Sequence, residues 1–379
     1  MNIKVLNNPF VVSKSIPDEC FCDREKETDA LIKMVVNGKN VVLVAPRRMG
    51  KTGLIHHLFR QSEIANNYYT FFIDIYALNS LREMSYVLGR AVYERLKDRK
   101  EKILEQFFKI IKSLRAGFRI DNLTGDPKFE VSIGSIYEPL ITLEEIIAFL
   151  EQADKPCIVA IDEFQQIAEF QDKNVEAILR GVIQNCSNTT FVFSGSRQHT
   201  ISRMFQSKSK PFYQSAQMMS LDPLDKEVYT EFSERQFRNY GKKVLPEVVE
   251  RVYDTYEGTT FYLQILMNEL FSMTGEGEVC TTNMIGTAVD NILDLQEGIF
   301  ISQLSMMSPK QKQVLQALSY EGVTKSVTSA SFIKKYSLES ASSVQSAIKG
   351  LNDKEIITSS PEGIKVSDYF FEQWLKKNY

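Results

Sequence analysis

The residues best suited to chemistry in this sequence form a short segment, residues 45–52, that directly follows an apolar run. The segment reads Ala-Pro-Arg-Arg-Met-Gly-Lys-Thr. Backbone N–H groups of such a loop, with the N-terminus of a following helix, form a concave site for anions. Gly50 lets the backbone approach a phosphate where a side chain would intrude, and the ammonium group of Lys51 can neutralise phosphate oxygens. This segment is therefore predicted to bind a chain of phosphates.

The segment matches the phosphate-binding loop pattern G-x-x-x-x-G-K-[ST] at every position except the first, where alanine replaces glycine. Alanine is compatible with such a loop if its φ angle stays negative. The hydroxyl group of Thr52 is suited to Mg²⁺, whereas nothing in the pattern distinguishes adenine from guanine. The residues predicted to contact a nucleotide are Ala45, Pro46, Arg47, Arg48, Met49, Gly50, Lys51, Thr52, Gly53 and Ser194.

A second segment, residues 158–163, is an apolar run that ends in two carboxylates, Asp162 and Glu163. If this run is a strand beside the phosphate-binding loop, its end can hold the oxygen shell of Mg²⁺. We predict that Asp162 takes this role together with Thr52. Glu163 can orient or deprotonate an attacking water molecule, and is predicted to be catalytic with Lys51.

A third segment, Ser-Gly-Ser-Arg at residues 194–197, follows another apolar run. Ser194 or Ser196 could contact the terminal phosphate or the water molecule at the end of such a strand. Arg197 and Arg203 lie just beyond, where an arginine could stabilise transition-state charge within its own subunit or across an interface. Arg197 is taken as the catalytic candidate, and a solvated loop with ordinary surface arginines is the alternative.

The elements that must position these residues are five short apolar runs separated by helical patterns. Because strands that alternate with helices favour a parallel sheet covered on both faces, the pattern predicts an α/β fold. The runs predicted to be strands are residues 40–45, 69–75, 157–161, 190–193 and 217–221.

Three further parts of the chain surround this core in the predicted organisation. Alternating apolar residues around a Thr-Gly-Asp-Pro turn predict a hairpin inserted at about residues 118–134. Strand patterns end after Leu221, and the following helical patterns break near Gly258. We expect an α/β core over residues 1–222, a helical region over 223–304 (named the lid below), and three helices plus a hairpin over 305–379, as in a winged helix-turn-helix.

The composition of the chain limits which binding partners and which cellular compartment are expected. The net charge of −3 provides no overall attraction to nucleic acid or anionic lipid. No run approaches the roughly 18 apolar residues of a membrane span, so no membrane partner is expected. The N-terminus lacks the pattern of a secretory signal, and the five scattered cysteines fit a reducing compartment. A cytoplasmic location is therefore expected.

The combined motifs resemble the archaeal-type P-loop ATPases, a group within or beside the AAA+ and STAND classes. The resemblance rests on the phosphate-binding loop, the acidic strand, Phe-Cys-Asp-Arg-Glu-Lys-Glu at residues 21–27, and Tyr-Glu-Gly-Thr-Thr-Phe-Tyr-Leu at residues 256–263. It implies a P-loop NTPase fold with a five-stranded parallel sheet, in which the acidic strand lies between the second strand and a neighbour of the loop strand. ATP and Mg²⁺ are the implied cofactors, with adenine bound partly by residues 10–24.

Two departures from this family concern the site. Many relatives have glycine in place of Ala45, and many have Gly-x-Pro where this chain has Gly-Thr-Thr at residues 258–260. The lid motif of this chain contains no arginine. The resemblance therefore does not extend to a lid arginine that contacts the terminal phosphate.

Three functions remain open at this point. The first is a Mg-dependent ATPase whose hydrolysis cycle moves the lid and winged helix, and the second is a nucleotide-gated DNA- or protein-binding switch with negligible turnover. A phosphotransferase is the third, although the Asp-Glu pair suits water better than a substrate hydroxyl group. Residues 308–379 contain ten lysines, no arginine and seven acidic residues, so either DNA or a protein can be the partner, and a homo-oligomer is also open.

Overall fold

A computed structural model describes residues 7–12, 16–96, 107, 109–111, 118–120, 127–129, 136–360 and 362–379. The chain forms two compact units. The first consists of Ser13–Asp225, and the second combines Met1–Val12 with Lys226–Tyr379. No helix among the described residues is long and apolar enough to cross a membrane.

A five-stranded parallel sheet forms the centre of the first unit, in the order β2-β5-β6-β1-β7. This order places the acidic strand β5 between β2 and β6, the neighbour of β1, as expected. The strands are β1 (Val41–Val44), β2 (Tyr69–Asp74), β5 (Cys157–Asp162), β6 (Thr189–Gly195) and β7 (Gln217–Ser220). Each of the five predicted runs is therefore confirmed as a strand.

Helices surround this sheet in the first unit. They are α1 (Glu25–Val36), α2 (Lys51–Arg60), α3 (Ser62–Asn67), α4 (Leu81–Leu96), α5 (Pro139–Glu151), α6 (Val175–Ile183) and α7 (Gln198–Gln206). Short 3₁₀ helices occupy Asp18–Cys20 and Phe164–Glu169.

The central strands are apolar on both faces because helices cover both sides of the sheet. Successive side chains of β5 enter opposite cores: Val159 and Ile161 join one hydrophobic cluster, whereas Ile158 and Ala160 join the other. All of β1, β5 and β6 is buried. Because the strands are fixed on both faces, the polar residues at their carboxyl ends are held in a fixed arrangement.

The predicted insertion is described only in part. Strands β3 (Phe118–Ile120) and β4 (Pro127–Phe129) pair antiparallel, as a hairpin requires. Of the predicted Thr-Gly-Asp-Pro turn, residues 124–126 lie outside the described residues, whereas Pro127 begins β4.

The second unit is mainly helical. Its helices are α8 (Lys226–Asn239), α9 (Pro246–Thr255), α10 (Thr260–Met273), α11 (Met284–Ser305), α12 (Pro309–Glu321), α13 (Ala330–Lys335), α14 (Ala341–Asp353) and α15 (Tyr369–Asn378). Its strands are β8 (Lys243–Val244) and β9 (Val279–Cys280), which are parallel, and β10 (Ile357–Ser360) and β11 (Gly363–Val366), which are antiparallel.

The predicted break near Gly258 is present between α9 and α10, where Glu257 and Gly258 both have positive φ angles. Helices α12 to α14, followed by the β10–β11 hairpin, give the expected winged helix arrangement. In the N-terminal segment of this unit, Phe10 is fully buried and its ring lies 5.7–6.1 Å from those of Phe232, Phe237 and Phe271. The division into core, lid and winged helix at residues 222 and 304 stays a prediction.

Candidate functional site

The phosphate-binding segment is a loop that connects β1 directly to α2. Gly50 caps α2 with φ 88°, a left-handed conformation that favours glycine, and Arg48 has φ 72°. Ala45 and Met49 are buried in the core, so only their backbone groups face the loop side, whereas Pro46 and Arg47 are exposed. The loop thus joins strand to helix with left-handed residues at Arg48 and Gly50, and Ala45 does not have a positive φ angle.

Lys51 is buried at the first position of α2. Its Nζ atom donates hydrogen bonds to the carbonyl oxygens of Ala45 at 2.8 Å and Pro46 at 2.9 Å. Burial lowers the pKa of Lys51, the carboxylates of Glu163 and Asp162 oppose this shift, and Arg47 adds to it; the net direction is downward. The ammonium group is therefore held inside the loop, near the charges of Asp162 at the end of β5 and of Glu163, which follows it.

Asp162 connects three elements at the carboxyl edge of the sheet. Its side chain is buried, and Thr52 Oγ1 donates to its Oδ2 atom at 2.6 Å. The hydroxyl group of Ser194, at the end of β6, donates to Oδ1. Both carboxylate oxygens of the acidic strand are therefore engaged by hydroxyl groups, one from the α2 N-terminus and one from the neighbouring strand.

Glu163 leaves the strand in a left-handed conformation, with φ 55°. Such angles are uncommon for residues other than glycine and occur frequently at functional sites. Two donors bind its Oε2 atom: Ser196 Oγ at 2.8 Å and the amide nitrogen of Gln165. The carboxylate of Glu163 is thereby fixed next to Asp162 and above the end of β6.

The two arginines nearest this edge have different surroundings. Arg47 Nε donates to Ser196 Oγ at 3.4 Å, and its guanidinium carbon lies 5.3 Å from the centre of the Tyr76 ring. Arg197 precedes α7 and forms an ion pair with Glu169 at 3.6 Å. Arg47 therefore contacts the same hydroxyl group, that of Ser196, as Glu163 does.

Residues 16–24 lie against α2. The ring of Phe21 stacks on His57 with centres 4.0 Å apart, and a methyl group at Gly53 would meet Ile16 at 3.5 Å. Arg60 donates to Asp18 at 2.9 Å. This part of the predicted adenine-binding segment thus lies along α2 from Gly53 to Arg60, whereas Phe10 packs among the helices of the second unit.

The structure brings Lys51, Thr52, Asp162, Glu163 and Ser194 together at one edge of the sheet. The roles assigned to them remain predictions, as do those of Gly53 and Arg197. Arg203 is exposed on α7.

Sequence reasoning did not single out Asp74, Tyr76 or Gln165. Asp74 ends β2 opposite Asp162 in the strand register. Burial and the charges of Asp162 and Glu163 together raise its pKa, although the N–H group of Tyr76 opposes the shift. The sequence signal for Asp74 was its position as the one acidic residue in the second apolar run, one residue before the end of that run.

Comparisons with known proteins agree with the fold described above. The profile of a winged helix domain matches residues 298–377, and a comparison with curated proteins found no match. Among solved structures, a Walker-type ATPase of Pyrococcus abyssi has a TM-score of 0.64 at 18% identity, covering 97% of this chain and 99% of that one. The ORC2 protein of Aeropyrum pernix, solved in ADPNP–ADP complexes, has a TM-score of 0.59 at 13% identity, covering 97% and 96%.

The ORC1 protein of Aeropyrum pernix, solved in complex with DNA, has a TM-score of 0.54 at 12% identity and covers 98% of this chain and 97% of that one. At these identities the similarity concerns the fold. The family itself is shown by sequence, because the profile of an ATPase domain found predominantly in Archaea matches residues 21–266, more than half of the 379-residue chain. With its phosphate-binding loop, acidic strand and sheet order, this chain belongs to that ATPase domain family.

Proposed function

We propose that the chain binds ATP with Mg²⁺ at the carboxyl edge of the first unit's sheet and hydrolyses it to ADP and phosphate. The observation that carries the proposal is the arrangement around Asp162. Its two oxygens accept hydrogen bonds from Thr52 and Ser194, and Glu163 follows it directly. A phosphate-binding loop, a metal-suited carboxylate and a candidate base thus meet at one place.

The residues present fit Mg²⁺. Thr52 and Asp162 supply adjacent hydroxyl and carboxylate oxygens, the ligand type that Mg²⁺ prefers. Among the described residues, no cluster of three or more metal-binding side chains is found. This suits an ion that keeps several water ligands and shares phosphate oxygens. When bound, Mg²⁺ would neutralise charge on the phosphates.

In the proposed reaction, the oxygen of a water molecule attacks the γ-phosphorus. A new P–O bond forms while the bond to the β–γ bridging oxygen breaks, and ADP leaves. Lys51 exchanges its bonds to the loop carbonyls for bonds to phosphate oxygens. Glu163, held by Ser196 and Gln165, orients the water molecule and accepts its proton. Ser194 keeps Asp162 in place and lies at the end of the adjacent strand.

The alternative is a nucleotide-gated switch with negligible turnover. Its supporting observation is that Lys51 and Glu163 are both already engaged by neighbours within the protein. These bonds must be exchanged or rearranged before a reacting geometry forms, so tight binding can coexist with slow hydrolysis. In either case we propose that the lid region and winged helix respond to the bound nucleotide.

For the winged helix we favour a protein partner over DNA. Five of the ten lysines in residues 308–379 are engaged in ion pairs. Glu339, just before α14, pairs with Lys310 and accepts a hydrogen bond from Ser343 of α14. An acidic residue at the start of the helix that would enter the major groove opposes phosphate contact. Salt-dependent binding to random duplex, lost on deletion of residues 308–379, would instead favour DNA.

The function is tested by titrating the full chain with ATP and Mg²⁺ while following phosphate release. We expect Lys51→Ala to lose nucleotide binding and Glu163→Gln to bind without turnover. Lys39→Ala and Glu63→Gln remove comparable exposed charges from the same unit and should behave as wild type. Absence of nucleotide binding by the wild type would contradict the proposal, and binding without hydrolysis would support the switch.

A further inference from the structure

Hydrolysis of a γ-phosphate usually needs an arginine. Negative charge spreads over the transferring phosphoryl group in the transition state, and a guanidinium group placed there accelerates the reaction by roughly 10³–10⁵-fold. The lid motif of this chain, residues 256–263, contains no arginine. The lid motif therefore cannot supply such a charge.

Arg197 was the candidate predicted from sequence, and its surroundings do not favour it. Its guanidinium group lies 3.6 Å from the carboxylate of Glu169, and its side chain is 41% exposed. Glu169 ends the 3₁₀ helix that follows Glu163. To reach a phosphate, Arg197 would have to leave this ion pair.

Arg47 is directed toward the reacting side of the loop instead. Its Nε atom donates to Ser196 Oγ, and Ser196 Oγ in turn donates to Glu163 Oε2. A single hydroxyl group therefore separates the guanidinium group from the candidate base. Its charge also lowers the pKa of Lys51, so the two cations are close enough to interact.

Tyr76 provides a support for this arginine. The residue follows β2, its ring is half exposed, and the guanidinium carbon of Arg47 lies 5.3 Å from the ring centre. A cation over an aromatic face within about 6 Å of the ring centre is attracted by the negative face of the ring. The N–H group of Tyr76 donates to Asp74 at 2.9 Å, which fixes the backbone of this turn.

We propose that Arg47 is the chain's own transition-state arginine, and that Tyr76 positions it. The inference rests on the proposed ATPase function. Arg47 contacts the γ-phosphoryl oxygens from within the phosphate-binding loop while Glu163 aligns the water molecule on the same side. The charge is therefore supplied within one subunit, and turnover per protein does not depend on protein concentration.

The test compares Arg47→Ala, Arg47→Lys and the rival variant Arg197→Ala, with Arg82→Ala as a control that removes an exposed arginine from α4 of the same unit. We expect Arg47→Ala to lower kcat on the order of a thousandfold while the Kd for ADP changes little. Affinity for ADP with aluminium fluoride, a transition-state mimic, should fall in parallel with kcat. Arg47→Lys should be intermediate because lysine retains the charge but not the planar fork.

The supporting role of Tyr76 has its own readout. Tyr76→Leu should lower kcat and the affinity for ADP with aluminium fluoride, and Tyr76→Phe should restore both because the ring is retained. The inference is wrong if Arg47→Ala hydrolyses ATP as fast as wild type. It is also wrong if only Arg197→Ala loses affinity for ADP with aluminium fluoride. In both cases the proposed ATPase function stands. If the wild type itself shows no hydrolysis, the proposed function fails first.

Discussion

Gly195 ends β6 beside the candidate site, and its missing side chain is a structural requirement. A methyl group built there would lie 2.2 Å from Gln165 Oε1 and 2.6 Å from Ile201 Cδ1. Contacts below 3.0 Å require movement of the neighbours. Gln165 is buried and Ile201 is fully buried, so neither has free space to enter. We therefore expect Gly195→Ala to destabilise the first unit.

The expected loss follows from the cost of overpacking a filled core, typically about 1–3 kcal/mol per inserted group. Gly181 provides the control, because it lies in α6 with no atom within 4 Å of a new methyl group. Alanine is favoured over glycine in a helix by about 0.5–1 kcal/mol, so Gly181→Ala should stabilise the protein. Both variants add one methyl group, but Gly195→Ala should lower the free energy of unfolding and Gly181→Ala should raise it.

The assay is urea unfolding followed by circular dichroism, with the free energy of unfolding extrapolated to water. Displacement of Gln165 also removes a donor from Glu163, so we expect slower phosphate release from Gly195→Ala at temperatures where it stays folded. Equal unfolding free energies for Gly195→Ala and wild type would refute this reasoning. So would a loss in Gly181→Ala as large as that in Gly195→Ala.

Two further predictions concern other hydrogen bonds. Ser194→Ala leaves Asp162 with the hydroxyl group of Thr52 as its remaining side-chain donor among the described contacts, and we expect the Mg²⁺ concentration for half-maximal ATP binding to rise severalfold in a titration. The hydroxyl group of Tyr369 donates a hydrogen bond to Glu257 and lowers the pKa of that carboxyl group below its ordinary 4.5. The ionised carboxylate therefore stabilises the second unit at pH values above 4.5. This stabilisation is lost as the pH falls through the lowered pKa. Because the Glu257 side chain is 64% exposed, Tyr369→Phe should cost less than about 1 kcal/mol at neutral pH and raise the midpoint pH of acid unfolding; an unchanged midpoint would contradict this.

Local patterns predicted the strands well. Uninterrupted apolar runs such as residues 157–161 become central strands because helices cover both faces, and this condition is visible in the sequence. The position of Asp162 and Glu163 at a strand end follows from the same pattern. The order of the strands came from the family resemblance instead, because apolar periodicity carries no information on which strands are neighbours.

Contacts between distant segments could not be predicted. Ser196 meets Glu163, and Tyr76 meets Arg47, only because the folded sheet aligns the ends of β2, β5 and β6 with the loop. Short elements were also missed, such as β8 and β9, which have two residues each. The C-terminal helix α15 was not predicted, although Phe371 and Trp374 on it pack against Phe300.

The role of Glu163 in ATP hydrolysis is tested most directly by a single-turnover measurement. Full-length protein in excess over labelled Mg-ATP is compared with Glu163→Gln, which replaces the carboxylate by a nearly isosteric amide. We expect both to bind ATP with similar affinity and the variant to release phosphate slower by a factor on the order of 10² or more. Equal rates of release would show that Glu163 does not activate the water molecule, and no release from the wild type would contradict hydrolysis itself.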